Sequence, residues 1–279
     1  MNKNTADLPV IEIHPTTPWG FPDLKEFFQY KDLLFFMVWR GIKVSYAQSV
    51  GGYAWALVMP TLQILVFTLV FGGLLGLEGD GGTPYLLEAT VAVVAWGYLS
   101  STINGTSSTL VTNAGMLAKV YFPRLTFLFT PVLGNLVPFG ISSILVVAVL
   151  IIYQVPINAN IIFLPLFIIM MMLTPLAFGL WFSSLAIRYR DFNIAMGSFL
   201  RMLIYTVPVM YPSDKIPDIY REYYILNPFV GVIEGVKACL LGRPFSYDSL
   251  TASIIITVVL LLTGAIYFRR MERIIVDVV

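Results

Sequence analysis

The stretch Ala54–Leu75, AWALVMPTLQILVFTLVFGGLL, decides the fold class of this chain. It carries no charge, and it matches the run of about 20 apolar residues that a helix needs to cross the hydrocarbon core of a bilayer. Five more apolar stretches follow. They are Leu86–Val111, with a second half rich in Ser, Thr and Gly; Leu125–Tyr153, interrupted by Pro131, Asn135 and Pro138; Ile161–Ile187; Ile194–Tyr211; and Leu250–Phe268. The sequence thus predicts an all-α integral membrane protein with about six transmembrane helices. Backbone groups freed by prolines need partners inside the protein, so the proline-broken stretches should pack inward.

Composition points the same way. Of 279 residues, 58% are hydrophobic and 12% charged, against about a quarter charged in a soluble domain. That is too little charge to cover a water-facing surface, and the net charge of +1 gives no sign of a nucleic-acid partner. Cys239 is the sole cysteine, so no internal disulfide forms, and it reads as a small packing residue. His14, the sole histidine, has no companion at metal-ligand spacing, so no metal site is expected. Residues 1–22, polar and broken by four prolines, read as a flexible lead and lack the pattern of a cleavable signal peptide.

Charge placement sets the orientation, because cytoplasmic loops are enriched in Lys and Arg. Lys25, Lys31, Arg40 and Lys43 precede the first stretch, and Lys119 and Arg124 follow the second. Arg188 and Arg190 follow the fourth, and Arg269, Arg270 and Arg273 follow the sixth. The loops between hold Glu78 and Asp80 without a cation, and no charge at all over Gln154–Asn160. Both termini are therefore expected in the cytoplasm. Asp23–Lys43 mixes charges with Phe27, Phe28, Phe35 and Trp39, and predicts an amphipathic helix lying on the inner membrane surface. Pro212–Asp248, on the outer side, is semi-apolar with an Asn227-Pro228 break, and predicts short re-entrant helices before the last span.

Several kinds of chemistry are missing. No lysine follows a glycine, so there is no phosphate-cradling P-loop, and no HExxH, CxxC or GxSxG motif occurs. The predicted spans hold almost no carboxylate. Glu88 lies near an outer end, where hydration is expected. Both facts argue against a proton-coupled carrier and an intramembrane enzyme. Arg201 stands about two turns into the fifth stretch. It either snorkels to the inner headgroups or faces a polar pathway and an anionic substrate.

A family pattern runs along the chain. Arg40–Ser49, followed by Gly52–Ala56 and Pro60, resembles the approach to the first span in ABC-2 type permeases that export polysaccharides. Lys119-Val120-Tyr121-Phe122-Pro123-Arg124 is similar to the motif after their second span, and Arg188-Tyr189-Arg190-Asp191-Phe192 to the loop after the fourth. Pro208–Pro212 and Leu226-Asn227-Pro228 are similar to their outer gate. Gly41, Ser45 and Arg201 depart from the pattern, standing where other residue types are usual.

The resemblance implies the membrane half of an ABC exporter working as a homodimer over a separate ATPase, which would hold ATP and Mg, with no cofactor on this chain. It implies a polyprenyl-diphosphate-linked glycan such as O-antigen, capsule or teichoic acid, in a bacterial inner membrane. It also implies an ATPase-coupling surface, for which the candidates are Lys119, Tyr121, Phe122, Arg124, Arg188 and Arg190. Cations suited to a lipid diphosphate are Arg40, Lys43 and Arg201. A sugar chain presents flat C–H faces to aromatic rings, so Trp96, Tyr98, Tyr205, Tyr211, Tyr223 and Tyr224 are the candidate pathway residues. Two alternatives stand beside this reading: an ABC-2 exporter of a drug or lipid, and a membrane-bound lipid-modifying enzyme.

Overall fold

In an apolar environment a helix satisfies its own backbone N–H and C=O groups, and almost all of the ordered pattern here is helical. The structure is a computed structural model that describes residues 24–47, 51–117, 123–189 and 191–278, with residues 24–26, 45, 46 and 272–278 described by backbone alone. No strand occurs among the described residues.

The expected single helix over 23–43 is two, α1 (Leu24–Gln29) and α2 (Lys31–Ala47). Phe27 and Met37 turn inward, with Phe27 4.8 Å from Phe129, while Phe28, Phe35, Phe36 and Trp39 stay exposed. Next come α3 (Trp55–Phe67), continued by a π-helical Thr68–Leu74, then α4 (Tyr85–Thr112) and α5 (Ala114–Leu117). The third predicted span is split at Asn135 into α6 (Leu125–Gly134) and α7 (Leu136–Ile152). α8 (Leu164–Arg188) and α9 (Phe192–Leu203) follow, then α10 (Asp218–Ile225), α11 (Pro228–Leu241) and α12 (Tyr247–Val278).

Among the described residues, five helical stretches are long and apolar enough to cross a membrane: Gly52–Leu74, Tyr85–Thr112, Leu125–Ile152, Ala159–Arg188 and Tyr247–Met271. There are six if α10 and α11, bent by 94°, count as one broken span. The predicted fifth stretch, 194–211, is shorter than expected. α9 and a 3-10 turn at Ile204–Thr206 rise roughly 24 Å, less than the ~30 Å core. The cause is Pro208. The residue before a proline is pushed out of helical conformation, and Val207 is extended at φ −119, ψ 156.

α4 is the hub. Of its apolar window 78% is buried, against 11% for the first and third spans. Its closest neighbour is α8, where Gly179 allows the approach: a Cβ there would lie 2.5 Å from the Thr106 Cβ. Hydroxyl and amide groups tie α4 to the broken third span, as expected for helices that pack in lipid. Tyr98 OH donates to Val132 O at 2.9 Å, Thr109 Oγ1 to Phe127 O at 3.1 Å, and Asn135 Nδ2 to Thr102 Oγ1 at 3.2 Å. The inward packing expected of the prolines thus falls on α6, where Phe127, Leu128 and Val132 are buried, while α7 exposes Ile144, Val147 and Ile151.

The Asn-Pro pair starts α11. Asn227 Oδ1 accepts from Phe229 N at 3.1 Å, Pro228 takes the first turn, and Gly242 closes the helix at φ 72. Gly231 and Gly235 let α11 sink between α8 and α12. An added Cβ would lie 2.2 Å from Ser249 O at the first and 1.7 Å from Phe167 Cε1 at the second.

Candidate functional site

At the end of α9 the turn enforced by Pro208 brings Tyr205 and Tyr211 next to α10, which carries Tyr220, Tyr223 and Tyr224. These five tyrosines, with Asn227, line a cavity of about 590 Å³. Tyr205 and Tyr223 are 63% and 76% exposed, so both rings have a free face. The arrangement is held by polar links. Tyr211 OH donates to Tyr205 O at 2.7 Å, Asn227 Nδ2 to Thr206 O at 3.1 Å, and Tyr224 OH lies 3.1 Å from Ser213 Oγ. Four of the six candidate pathway aromatics therefore meet in one cavity.

Trp96 and Tyr98 are placed differently. Both are buried in the bundle, Trp96 edge-on to Phe229 at 5.9 Å and Tyr98 bonded to α6. Tyr98 also borders a cavity of about 340 Å³ shared with Trp55 and Gln63. The open strip of α4 borders the same cavity through Gly97 and Ser101: Gly97, Ser101, Asn104 and Thr112 are exposed and Ser108 half-buried. Their spacing of three and four residues puts them on one side of the helix.

A second cavity, of about 620 Å³, shares Tyr224 and Ile216 with the first. Its inner wall is a charge cluster that corrects the reading of Glu88. That carboxylate is 4% exposed, not hydrated. It pairs with Lys237 of α11 at 3.5 Å and with Arg243, and it accepts from Thr83 Oγ1 at 3.0 Å. Lys237 also meets Glu234 at 3.6 Å, and Arg243 meets Asp80 at 3.3 Å and donates to Thr83. Three carboxylates face two cations. Among the described residues no group of three His, Cys, Asp or Glu is arranged to hold a metal.

Sequence reasoning missed this cluster because its two halves, Asp80–Glu88 and Glu234–Arg243, lie far apart in the chain. The available signal was Lys237, an ammonium in the apolar run Phe229–Leu241, since a cation in such a run demands a partner.

Asp80 sits in the loop between the first two membrane-crossing stretches. Burial, then the negative charges of Glu88 and Glu234, push its carboxyl up to about 6 from 3.8. Between those values the folded protein holds a proton that the unfolded chain has released, so stability falls as pH rises through the window and stays lower at neutral pH. Asp80→Asn should remove that slope and raise the unfolding temperature at pH 7.5. Thermal melts in detergent at pH 5 and pH 7.5 check this. An unchanged slope would mean that Asp80 is not the group responsible.

The model of the ABC-2 type transporter family matches residues 32–241, well over half of the chain. The chain belongs to the ABC-2 type transporter family. Among its relatives is the O-antigen export system permease protein RfbA of Myxococcus xanthus, 25% identical over 254 residues that cover 89% of this chain and 96% of that protein. Two Klebsiella pneumoniae proteins of the same name are 21% identical over 242 residues, covering 86% of this chain and 92% of theirs.

In this ABC-2 chain the candidate cations are exposed on separate helices. Arg40 and Lys43 lie on α2, Lys43 5.4 Å from the Trp39 ring, and Arg201 lies on α9, donating to Ser198 Oγ at 3.1 Å. Of the coupling candidates, Arg188 ends α8 against Tyr189 at 5.5 Å, and Arg124 is half-buried just before α6. Lys119, Tyr121, Phe122 and Arg190 lie outside the described residues.

Proposed function

We propose that this chain is the membrane permease of an ABC exporter that moves a polyprenyl-diphosphate-linked polysaccharide, of O-antigen, capsule or teichoic-acid type, across a bacterial inner membrane. Two copies form the pathway, and a separate ATPase subunit supplies the energy. The chain itself carries no catalytic site. The names of its relatives support the glycan class.

The observation that carries the reading is the open strip of α4. The exposed faces of the other spans are apolar, with Leu62 and Leu69 on α3 and its π-helical continuation, Val147 on α7, Ile169 on α8 and Val258 on α12. Those faces suit lipid. The strip Gly97, Ser101, Asn104, Ser108 and Thr112 does not: the hydroxyls of Ser108 and Thr112 return to α4 carbonyls, but a carboxamide such as that of Asn104, left unpaired in hydrocarbon, is unfavourable by several kcal/mol. It suits a hydrated path shared with a second copy. The exposed tyrosines above it offer ring faces for sugar C–H groups, which favours a glycan over a small drug. α2 lies on the inner surface with both termini cytoplasmic. Arg40, Lys43 and Arg201 meet the diphosphate there, Asn113–Arg124 and Arg188–Arg190 dock the ATPase with its ATP and Mg, and α10 and α11 form the outer gate.

A thiol-labelling experiment tests the strip. In a Cys239→Ser background, Ser101→Cys and Asn104→Cys should react with a membrane-impermeant maleimide in purified complex, and bound lipid-linked glycan should protect them. Val147→Cys should stay unlabelled. Equal labelling at positions 101 and 147 overturns the assignment. The ATPase subunit should co-purify with the affinity-tagged chain.

A further inference from the structure

Accepting the tyrosine cavity as glycan-handling, the buried charges acquire a role beyond holding helices together. A continuous chain of contacts runs from α4 to a cavity tyrosine. Glu88 meets Lys237 at 3.5 Å, Lys237 meets Glu234 at 3.6 Å, Ser213 Oγ donates to Glu234 Oε1 at 2.6 Å, and Tyr224 OH lies 3.1 Å from Ser213 Oγ. The first members are rigidly placed. Glu88 and Lys237 are 5% and 2% exposed at their side chains, and α11 is buried along most of its length against α8 and α12.

The last member is not. α10 has no buried residue, and it meets α11 across the 94° bend at Leu226–Asn227. The Tyr224 ring, half-buried at the wall of both cavities, is anchored at its hydroxyl, held through Ser213 by a carboxylate that pairs with a buried ammonium.

We propose that Glu88, Lys237 and Glu234 are positioning residues for glycan passage. Acting through Ser213, they aim Tyr224 at the sugar chain and so carry the geometry of the translocating helix α4 to the outer gate. Two features of the packing support this. The Ser213 hydroxyl stands between the two groups that it joins, so one side chain links cluster and ring through two hydrogen bonds. Tyr224 also borders both cavities, so tilting its ring changes the shape of each.

The test is a set of variants in the full chain with its ATPase, read as surface glycan per cell and as the unfolding temperature of the purified complex. Ser213→Ala breaks the relay without touching the buried ion pairs. It should lower export about fivefold, the worth of one positioning hydrogen bond, with the unfolding temperature lower by no more than a few degrees for the bond lost to Glu234. Tyr224→Phe should do the same. The double variant should lose no more than either single one, because both remove one link. Ser213→Thr, which keeps the hydroxyl, should restore export.

Additive losses, or normal export in Ser213→Ala, overturn the relay. Tyr205→Ala and Tyr223→Ala separate this result from the reading beneath it. If they lower export while Ser213→Ala and Tyr224→Phe do not, the cavity handles glycan and the relay is wrong. If they leave export intact, the cavity reading itself fails and the relay falls with it.

Discussion

Lys237→Met is expected to abolish export and to lower the unfolding free energy by about 3–5 kcal/mol, the range for removing one partner of a buried ion pair. The ammonium is 2% exposed and stands between Glu88 and Glu234. Without it, Arg243 remains as the cation for Asp80 and Glu88, and Glu234 faces no cation. Glu88 would keep Arg243 and Thr83, but Glu234 would keep only Ser213 as a neutral donor.

Replacing Glu234→Gln together with Lys237→Met should recover most of the stability, because Glu88 and Asp80 keep Arg243 and no carboxylate is then left without a cation. Chemical denaturation in detergent and the surface glycan level measure the two effects. A single variant as stable as the parent would show that water reaches the cluster and that the ion pairs are weak.

Gly235→Ala should be nearly as damaging, although it adds a single methyl. The new Cβ would stand 1.7 Å from Phe167 Cε1 and 2.3 Å from two further ring atoms. Phe167 cannot swing aside easily. It is 1% exposed and stacked on Phe245 at 5.7 Å. The helix must move instead, and α11 carries Lys237 with it. Overpacking of this kind is unfavourable by about 3 kcal/mol at the upper end of its usual range.

Gly140→Ala serves as the control, since nothing lies within 4 Å of its Cβ position; stability there should hold or rise slightly with the better helix former. The second-site variant Phe167→Leu should restore folding to Gly235→Ala and not to Lys237→Met. Rescue of both would show that the fault lies in general bundle stability and not in this contact.

Much of this protein is legible in the order of its residues. Uncharged runs identify the spans, because a bilayer accepts little else. The Asn227-Pro228 break marks the start of α11, because Pro is favoured in the first helical turn and Asn caps it. The tyrosines at 205, 211, 223 and 224 were selected for their chemistry, and the fold gathers them because Pro208 ends α9 and turns the chain.

Which residues of α4 are covered is not legible in the sequence. Trp96 and Tyr98 are buried because Phe229 of α11 and Val132 of α6 pack on them, although Tyr98 borders the same cavity as Ser101. The sequence reading also underestimated Pro208, which shortened the fifth stretch below the length of a span.

By itself, then, the sequence determined that this chain is a helical membrane protein, since hydropathy is a local property that needs no knowledge of neighbours. Tertiary structure alone decided which polar groups are exposed and which are paired. Glu88 looked like a hydrated residue at a helix end until α11, let in by Gly231 and Gly235, placed Lys237 beside it. The pair is separated by 149 positions in the chain, 237 minus 88. A charge's surroundings depend on which helices pack against it, and that depends on side-chain volumes summed over the whole bundle.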